Sequence, residues 1–257
     1  MQGTGTGIDV PLDLLLAMLL SSVRVVSWMM LAPPFSNRAV NGRVKAMVAV
    51  AVTLPLAVQL RDQVPAAEPG PLISAVLQQA LVGAVMGALC ALAFAAVQAA
   101  GDLLDLFGGF QMASAYDPLL QNQTAIFGKL YQATSIALLV VTGGHLIVLQ
   151  GLLKTFEVVP LTGGISMGTA SQLYTEGIVQ MVAAALQIAA PLIAVLFITD
   201  IGLGLLSRAA PALNAFSMSF PLKIMVTLTL GGFAFALLPG PVSAAVESAT
   251  GLLAAFR

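Results

Sequence analysis

An all-α, membrane-embedded fold of about six hydrophobic helices is predicted by three features of the sequence. Of the 257 residues, 59% are hydrophobic and 8% charged, whereas a soluble domain carries roughly 25% charged residues. Mean hydropathy is +0.99. The apolar residues gather into runs near the roughly 20 residues that a spanning helix needs, and prolines and glycines mark the connectors between them.

The predicted helices cover 10–32, 44–60, 72–100, 129–153, 175–207 and 220–247. The chain's acidic start (Asp9, Asp13) lacks the basic region of a cleavable signal, so insertion is expected through the first helix itself. Ala32-Pro33-Pro34 stops that helix. The second contains Pro55. A polar loop, Arg61 to Pro71, precedes the third. The third helix carries Gly83, Gly87, Ala91, Ala95 and Ala99, one small residue every fourth position. That spacing makes a single ridge on which another backbone can approach closely. Between the fourth and fifth helices, Pro160 to Gly168 is a flexible link. It divides the chain into a four-helix part, 1–162, and a two-helix part, 163–257. With the N-terminus outside, the inner connectors hold Arg38, Arg43, Lys45, Lys129, Arg208 and Lys223, and the outer ones Arg61, Lys154 and Arg257. The excess of cations inside favours that orientation.

Several function classes are excluded. One cysteine, Cys90, permits neither a disulfide framework nor a thiolate metal site within one chain. A single histidine, His145, removes most metal-hydrolase and triad chemistry. A net charge of −1 carries no nucleic-acid footprint. Gly202-x-Gly204 lacks the third glycine and the strand of a dinucleotide site, and no other enzyme motif is present. The chain is expected not to be an enzyme, with no catalytic residue, metal or cofactor.

The most informative stretch is Leu103 to Pro118, LLDLFGGFQMASAYDP. Its aromatic and methionine residues, Phe107, Phe110, Met112 and Tyr116, surround Gly108 and Gly109. Non-helical backbone at membrane depth is tolerated only where protein buries it or it lines a cavity. The segment therefore reads as a pore plug or gate, or as a re-entrant packing loop. Asp102, Asp105 and Asp117-Pro118 frame it as helix-terminus and turn residues; proton carriage is the other reading.

Other polar residues lie inside apolar runs. Arg24 in the first helix and Asp200 in the fifth are costly unless they face a bundle interior or water. An Arg24–Asp200 pair would offset both costs; separate snorkelling or separate partner contacts would also do so. His145, after Gly143-Gly144, reads as a proton relay or as a histidine hydrogen-bonded within the bundle. The stretch Asp200 to Lys223 brackets Asn214 between Pro211 and Pro221. A tight helical hairpin is expected there, with the prolines at the turn. Arg208 and Lys223 would face helix C-terminal carbonyls.

Taken in order, these motifs resemble the flagellar biosynthetic protein FliR family, whose relatives serve injectisome type III secretion. They are Arg24 with Ala32-Pro33-Pro34-Phe35, Gly101 to Pro118 ending in A-x-A-Y-D-P, and Gly143-Gly144-His145 followed by FEVVPL. The most specific is LLSRAAPALNAFSMSFPLKI, Leu205 to Ile224. The resemblance implies a core subunit of a type III export gate with FliP-like and FliQ-like partners and FlhB-like and FlhA-like export components. Its four-helix part would be P-like and its two-helix part Q-like, within a helical ring of hairpins in the bacterial inner membrane. The resemblance also implies a plug over about Leu106 to Asp117, with Phe107, Phe110, Met112 and Tyr116 filling space and Gly108 and Gly109 as hinge. Assembly would rest on Arg24, Gly83, Gly87, Asp200, Arg208, Asn214, Pro221 and Lys223. Unfolded flagellar subunits would be the cargo. An injectisome counterpart and a small secondary transporter are the alternative functions.

Overall fold

A computed structural model of the chain describes residues 11–37, 40–110, 125–210 and 215–255. All regular structure among them is helical. The helices are α1 (Leu12–Leu31), α2 (Gly42–Leu60), α3 (Pro69–Phe107), α4 (Ile126–Val141), α5 (Gly144–Lys154), α6 (Met167–Ala209), α7 (Ala215–Leu237) and α8 (Pro239–Ala254). Five of them are long and apolar enough to cross a membrane, or six if the bent pair α4–α5 counts as one span.

Local chemistry explains most boundaries. α1 stops at Ala32, where the following prolines offer no N–H to continue it. The Asn41 side chain accepts a hydrogen bond from the Arg43 N–H and starts α2. Two helices expected to be continuous are broken. The run 129–153 divides at Thr142–Gly143. There Gly143 takes φ of +74°, and α5 leaves at 76° to α4. The run 220–247 divides at Leu238, because Pro239 has no N–H to donate to the preceding turn. α3 and α6 are longer than expected, 39 and 43 residues. At 1.5 Å per residue they run about 58 and 65 Å, roughly twice the ~30 Å hydrocarbon core of a bilayer.

The helices pack into two compact units that alternate along the chain. One comprises residues 1–90, 149–173 and 252–257; the other comprises 91–148 and 174–251. The first is centred on α1, α2 and the start of α3. α1 buries Leu16, Ala17, Leu20, Arg24, Val25 and Trp28, one helical stripe. α2 buries Lys45, Ala49, Thr53 and Ala57. The Ser22 and Thr53 hydroxyls meet at 3.0 Å between these two helices. The core of the second unit gathers Val97, Ala100 and Leu104 of α3, Phe127 and Tyr131 of α4, Ala189 and Leu192 of α6, and Leu238.

Candidate functional site

The base of the segment read as a plug is built from the end of α3 and the start of α4. Leu103 to Phe107, expected as loop, are the last helical residues of α3. Asp102 and Asp105 thus lie within the C-terminal end of α3, as helix-terminus residues and not in the turn that follows. The helix ends because Gly109 adopts φ of +83°, a left-handed conformation that side chains disfavour. The Phe110 N–H then reaches back to the Asp105 carbonyl at 3.1 Å, the six-to-one bond of a Schellman stop. Gly108 is required for a second reason. A Cβ there would lie 2.6 Å from the Leu104 carbonyl oxygen and 2.6 Å from the Thr227 hydroxyl.

The Asp105 side chain, fully buried, accepts from the Phe127 N–H at 3.1 Å and the Gly128 N–H at 3.0 Å. These are free donors in the first turn of α4, whose cap residue Ala125 supplies no side-chain partner. A carboxylate at a helix N-terminus also meets the positive end of the helix dipole. Asp105 thereby ties the two ends of the intervening segment together. Packing tightens the same joint. A Cβ on Gly101 would sit 2.5 Å from the Phe127 carbonyl, and one on Gly128 would collide with the Asp102 carboxylate. From Phe110 a row of edge-on aromatic rings runs through Phe127 and Tyr131 to Phe235, with centroids 5.4, 6.3 and 5.6 Å apart. Phe107 is 43% exposed. Met112 and Tyr116 lie outside the described residues, as does the rest of 111–124.

In the first unit, Arg24 is fully buried and collects neutral dipoles in place of a carboxylate. Its Nε donates to Gln79 Oε1 at 2.6 Å, and one terminal nitrogen donates to the carbonyls of Val159 (2.8 Å) and Pro160 (3.3 Å). The guanidinium carbon stands 4.1 Å from the centre of the Phe156 ring, a cation–π arrangement. Gln79 in turn donates to the Leu161 carbonyl at 2.9 Å. Arg24 thus binds α1 and α3 to the connector that follows α5. Gly83 and Gly87 hold the same helix pair close. A Cβ on Gly83 would strike the Arg24 carbonyl, and one on Gly87 would lie 2.8 Å from that of Trp28.

The considered Arg24–Asp200 pair is not formed. Asp200 pairs with Lys223 at 2.7 Å across α6 and α7. That also removes Lys223 from the helix-end carbonyls it was expected to meet. Arg208 lies in the last turn of α6, the favoured end for a cation. Pro221 sits inside α7 and not at the turn. Asn214 and Pro211 lie outside the described residues. The His145 ring reaches the Leu139 carbonyl at 3.3 Å across the α4–α5 break. Among the described residues no cluster of three or more His, Cys, Asp or Glu could hold a metal.

Sequence reading overlooked Gln79 and the capping role of Asp105. Gln79 had a visible signal: Gln78-Gln79 interrupts an otherwise apolar run. Asp105 carried none, because its partners are backbone N–H groups beyond the loop.

Long apolar helices, polar groups devoted to joining segments, and an aromatic row at the joint of α3 and α4 define a helical protein with five or six helices long and apolar enough to cross a membrane. The chain matches the family model of bacterial export proteins, family 1, over residues 15–249, and it belongs to that family. It is 32% identical to flagellar biosynthetic protein FliR of Escherichia coli (strain K12), over 81% of this chain and 80% of that protein. With the FliR of Pectobacterium carotovorum subsp. carotovorum it shares 29% identity over 84% of this chain and 83% of the relative. It is 30% identical to Yop proteins translocation protein T of Yersinia pestis, over 60% of this chain and 59% of the relative. The chain is thus a component of the type III protein-export apparatus, of the kind shared by flagella and injectisomes.

Proposed function

We propose that the chain is a non-enzymatic core subunit of the flagellar type III export gate, and that the segment after Phe107 plugs its channel. It closes a ring with FliP-like and FliQ-like subunits, its residues 1–162 taking the P-like role and 163–257 the Q-like role. FlhB-like and FlhA-like components adjoin it, and unfolded flagellar subunits pass through. It lies as a multi-pass protein of the bacterial inner membrane within the flagellar basal body. The flagellar assignment draws on coverage, since the Escherichia FliR match spans 81% of this chain and the Yersinia match 60%.

The observation that carries the plug reading is the Asp105 joint. It anchors both ends of an apolar, aromatic-rich segment to rigid helices, so the segment can fill a channel without loosening the bundle. A pore that passes unfolded chains must seal against ions when idle. Met112 adapts to an irregular contour, and the rings supply bulk. Deleting Gly108 to Ala115 is expected to leave the complex assembled but leaky to ions, with slowed growth. A complex that assembles and stays sealed removes the plug assignment. Loss of hook protein and flagellin from the medium when the gene is removed, and their return when it is restored, tests the wider export role.

A further inference from the structure

Of the single helices long and apolar enough to cross a membrane, α7 is the least enclosed. Buried residues make up 12% of its most apolar stretch, against 17–50% in the other four. Among the described residues of α7, those buried are Thr227 and Gly231, and both meet the joint of α3 and α4. The contact is reciprocal. α3 offers Gly108 to the Thr227 side chain, and α7 offers Gly231 to the Phe127 ring, where a Cβ would lie 2.7 Å away. That ring is wedged between Phe110 and Tyr131, so it has little room to yield. Thr227 is fixed as well, its hydroxyl donating to the Lys223 carbonyl at 2.8 Å. Phe220, two turns before Thr227, and Phe235, one turn after Gly231, continue the same stripe. The Phe220 ring would stand 3.4 Å from a Cβ on Gly109, and Phe235 meets Tyr131 edge-on. The face that α7 buries is therefore the one turned to the left-handed helix stop, the first turn of α4 and the aromatic row. The Lys223–Asp200 pair, partly exposed, ties α7 to α6.

We propose that α7 is a clamp on this joint, and that its seating holds the segment after Phe107 in the channel. The inference rests on the plug reading and adds its control. Between membrane helices no hydrophobic effect drives association, and close approach at small residues supplies the attraction. A helix seated mainly through Gly108 and Gly231 can withdraw without opening a large core, the mark of an element that moves at low cost. When α7 withdraws, Gly108 and Gly109 lose the groups packed on them, and Phe127 loses one side of its support. The stop can then reorient, and the segment beyond it leaves the channel. Phe220, Thr227 and Gly231 are positioning residues, acting on the segment through Gly108, Gly109 and Phe127.

The test unseats α7 from its own side and leaves residues 103–124 unchanged. Potassium flux from phosphatidylcholine vesicles holding the assembled complex is read beside limited proteolysis between residues 111 and 124. Gly231→Ala drives a methyl into the Phe127 ring. It is expected to raise flux and cleavage about fivefold to a hundredfold, the range for overpacking one buried site. Phe127→Leu in the same chain makes room and should bring both part of the way back, which a general loss of stability would not allow. Thr227→Ala only removes atoms, and it serves as the second unseating variant where Gly231→Ala fails to assemble. Thr227→Ser keeps Oγ on Gly108 and should stay close to wild type. The Gly108 to Ala115 deletion is measured alongside. A leaky deletion, with assembled Gly231→Ala and Thr227→Ala complexes that stay sealed and are cleaved no faster than wild type, overturns the clamp and leaves the plug. A sealed deletion complex removes the plug reading and the clamp with it. Absence of any recovery with Phe127→Leu also overturns the clamp.

Discussion

Arg24 and Asp105 are both fully buried charges, and among the described residues neither has an ionic partner. Each is satisfied by dipoles, but in different ways. Asp105 meets two N–H groups that would be unpaired in any case, at the start of a helix whose dipole also favours the anion. Its environment is complete. Arg24 gathers one amide oxygen and two carbonyls from segments 55 to 136 residues away in sequence. One of its terminal nitrogens still has no hydrogen-bond partner among the described residues. The contrast shows two uses of a buried charge in an apolar bundle. A helix terminus answers a carboxylate locally and fully, so Asp105 closes a loop at modest expense. A guanidinium has five donors in a planar fork and answers many segments at once, so Arg24 joins a whole unit while remaining partly unsatisfied.

Removing each charge separates these roles. Arg24→Met is expected to have the largest effect. It strands Gln79 Oε1 and the Val159 carbonyl, at about 1–3 kcal/mol for each buried group left unpaired, while the Pro160 carbonyl keeps the Gly163 N–H at 3.1 Å. Thermal dissociation of the assembled complex should fall well below wild type. Arg24→Lys should recover only part of the loss, because a point charge cannot replace the fork; full recovery would mean that charge alone matters.

Gly87→Ala tests the packing around Arg24 without touching its hydrogen bonds. The added methyl meets the Trp28 carbonyl at 2.8 Å and the Leu31 Cβ at 3.1 Å, an overpacking that costs about 1–3 kcal/mol. The same dissociation measurement should show a smaller drop than for Arg24→Met. No drop would mean that α1 and α3 separate freely.

Asp105→Ala removes a cap worth about 0.5–2 kcal/mol. Its effect should be local. Limited proteolysis between residues 111 and 124 should quicken while overall complex stability changes little. Asp105→Asn keeps one acceptor and should fall between the two. Equal cleavage in all three proteins would dissociate the joint from the segment it closes.

Asp200–Lys223 supplies the smallest expected effect. The Asp200 side chain is 43% exposed, and such pairs contribute about 0–1 kcal/mol. Asp200→Asn should barely move thermal dissociation. A loss as large as that of Arg24→Met would show that a partner subunit buries this pair in the complex.

Much of the fold is legible in the sequence, though not evenly. Pro33-Pro34 stops α1 where the rigid rings would be expected to do so. Gly143 and Pro239 break helices that apolar composition alone reads as continuous, because hydropathy averages over a window and a single backbone angle does not register in it. The continuation of α3 through Phe107 was hidden by the same averaging. Asp102 and Asp105 look like turn residues, yet the helix persists until two glycines allow the left-handed stop. At the candidate site the aromatic and glycine residues of 103–118 stand out by composition. The group that fastens the segment, Asp105, is recognisable only once the start of α4 lies beside it.

By itself the sequence determined the all-helical class, the approximate number of apolar helices and the family, since these follow from composition and local order. Tertiary structure alone decided which groups answer the buried charges: Gln79 and two carbonyls for Arg24, Lys223 for Asp200, and the first turn of α4 for Asp105. The physical reason is that a buried polar group takes whichever complementary partner packing brings within about 3 Å, and nothing in the spacing along the chain encodes that distance.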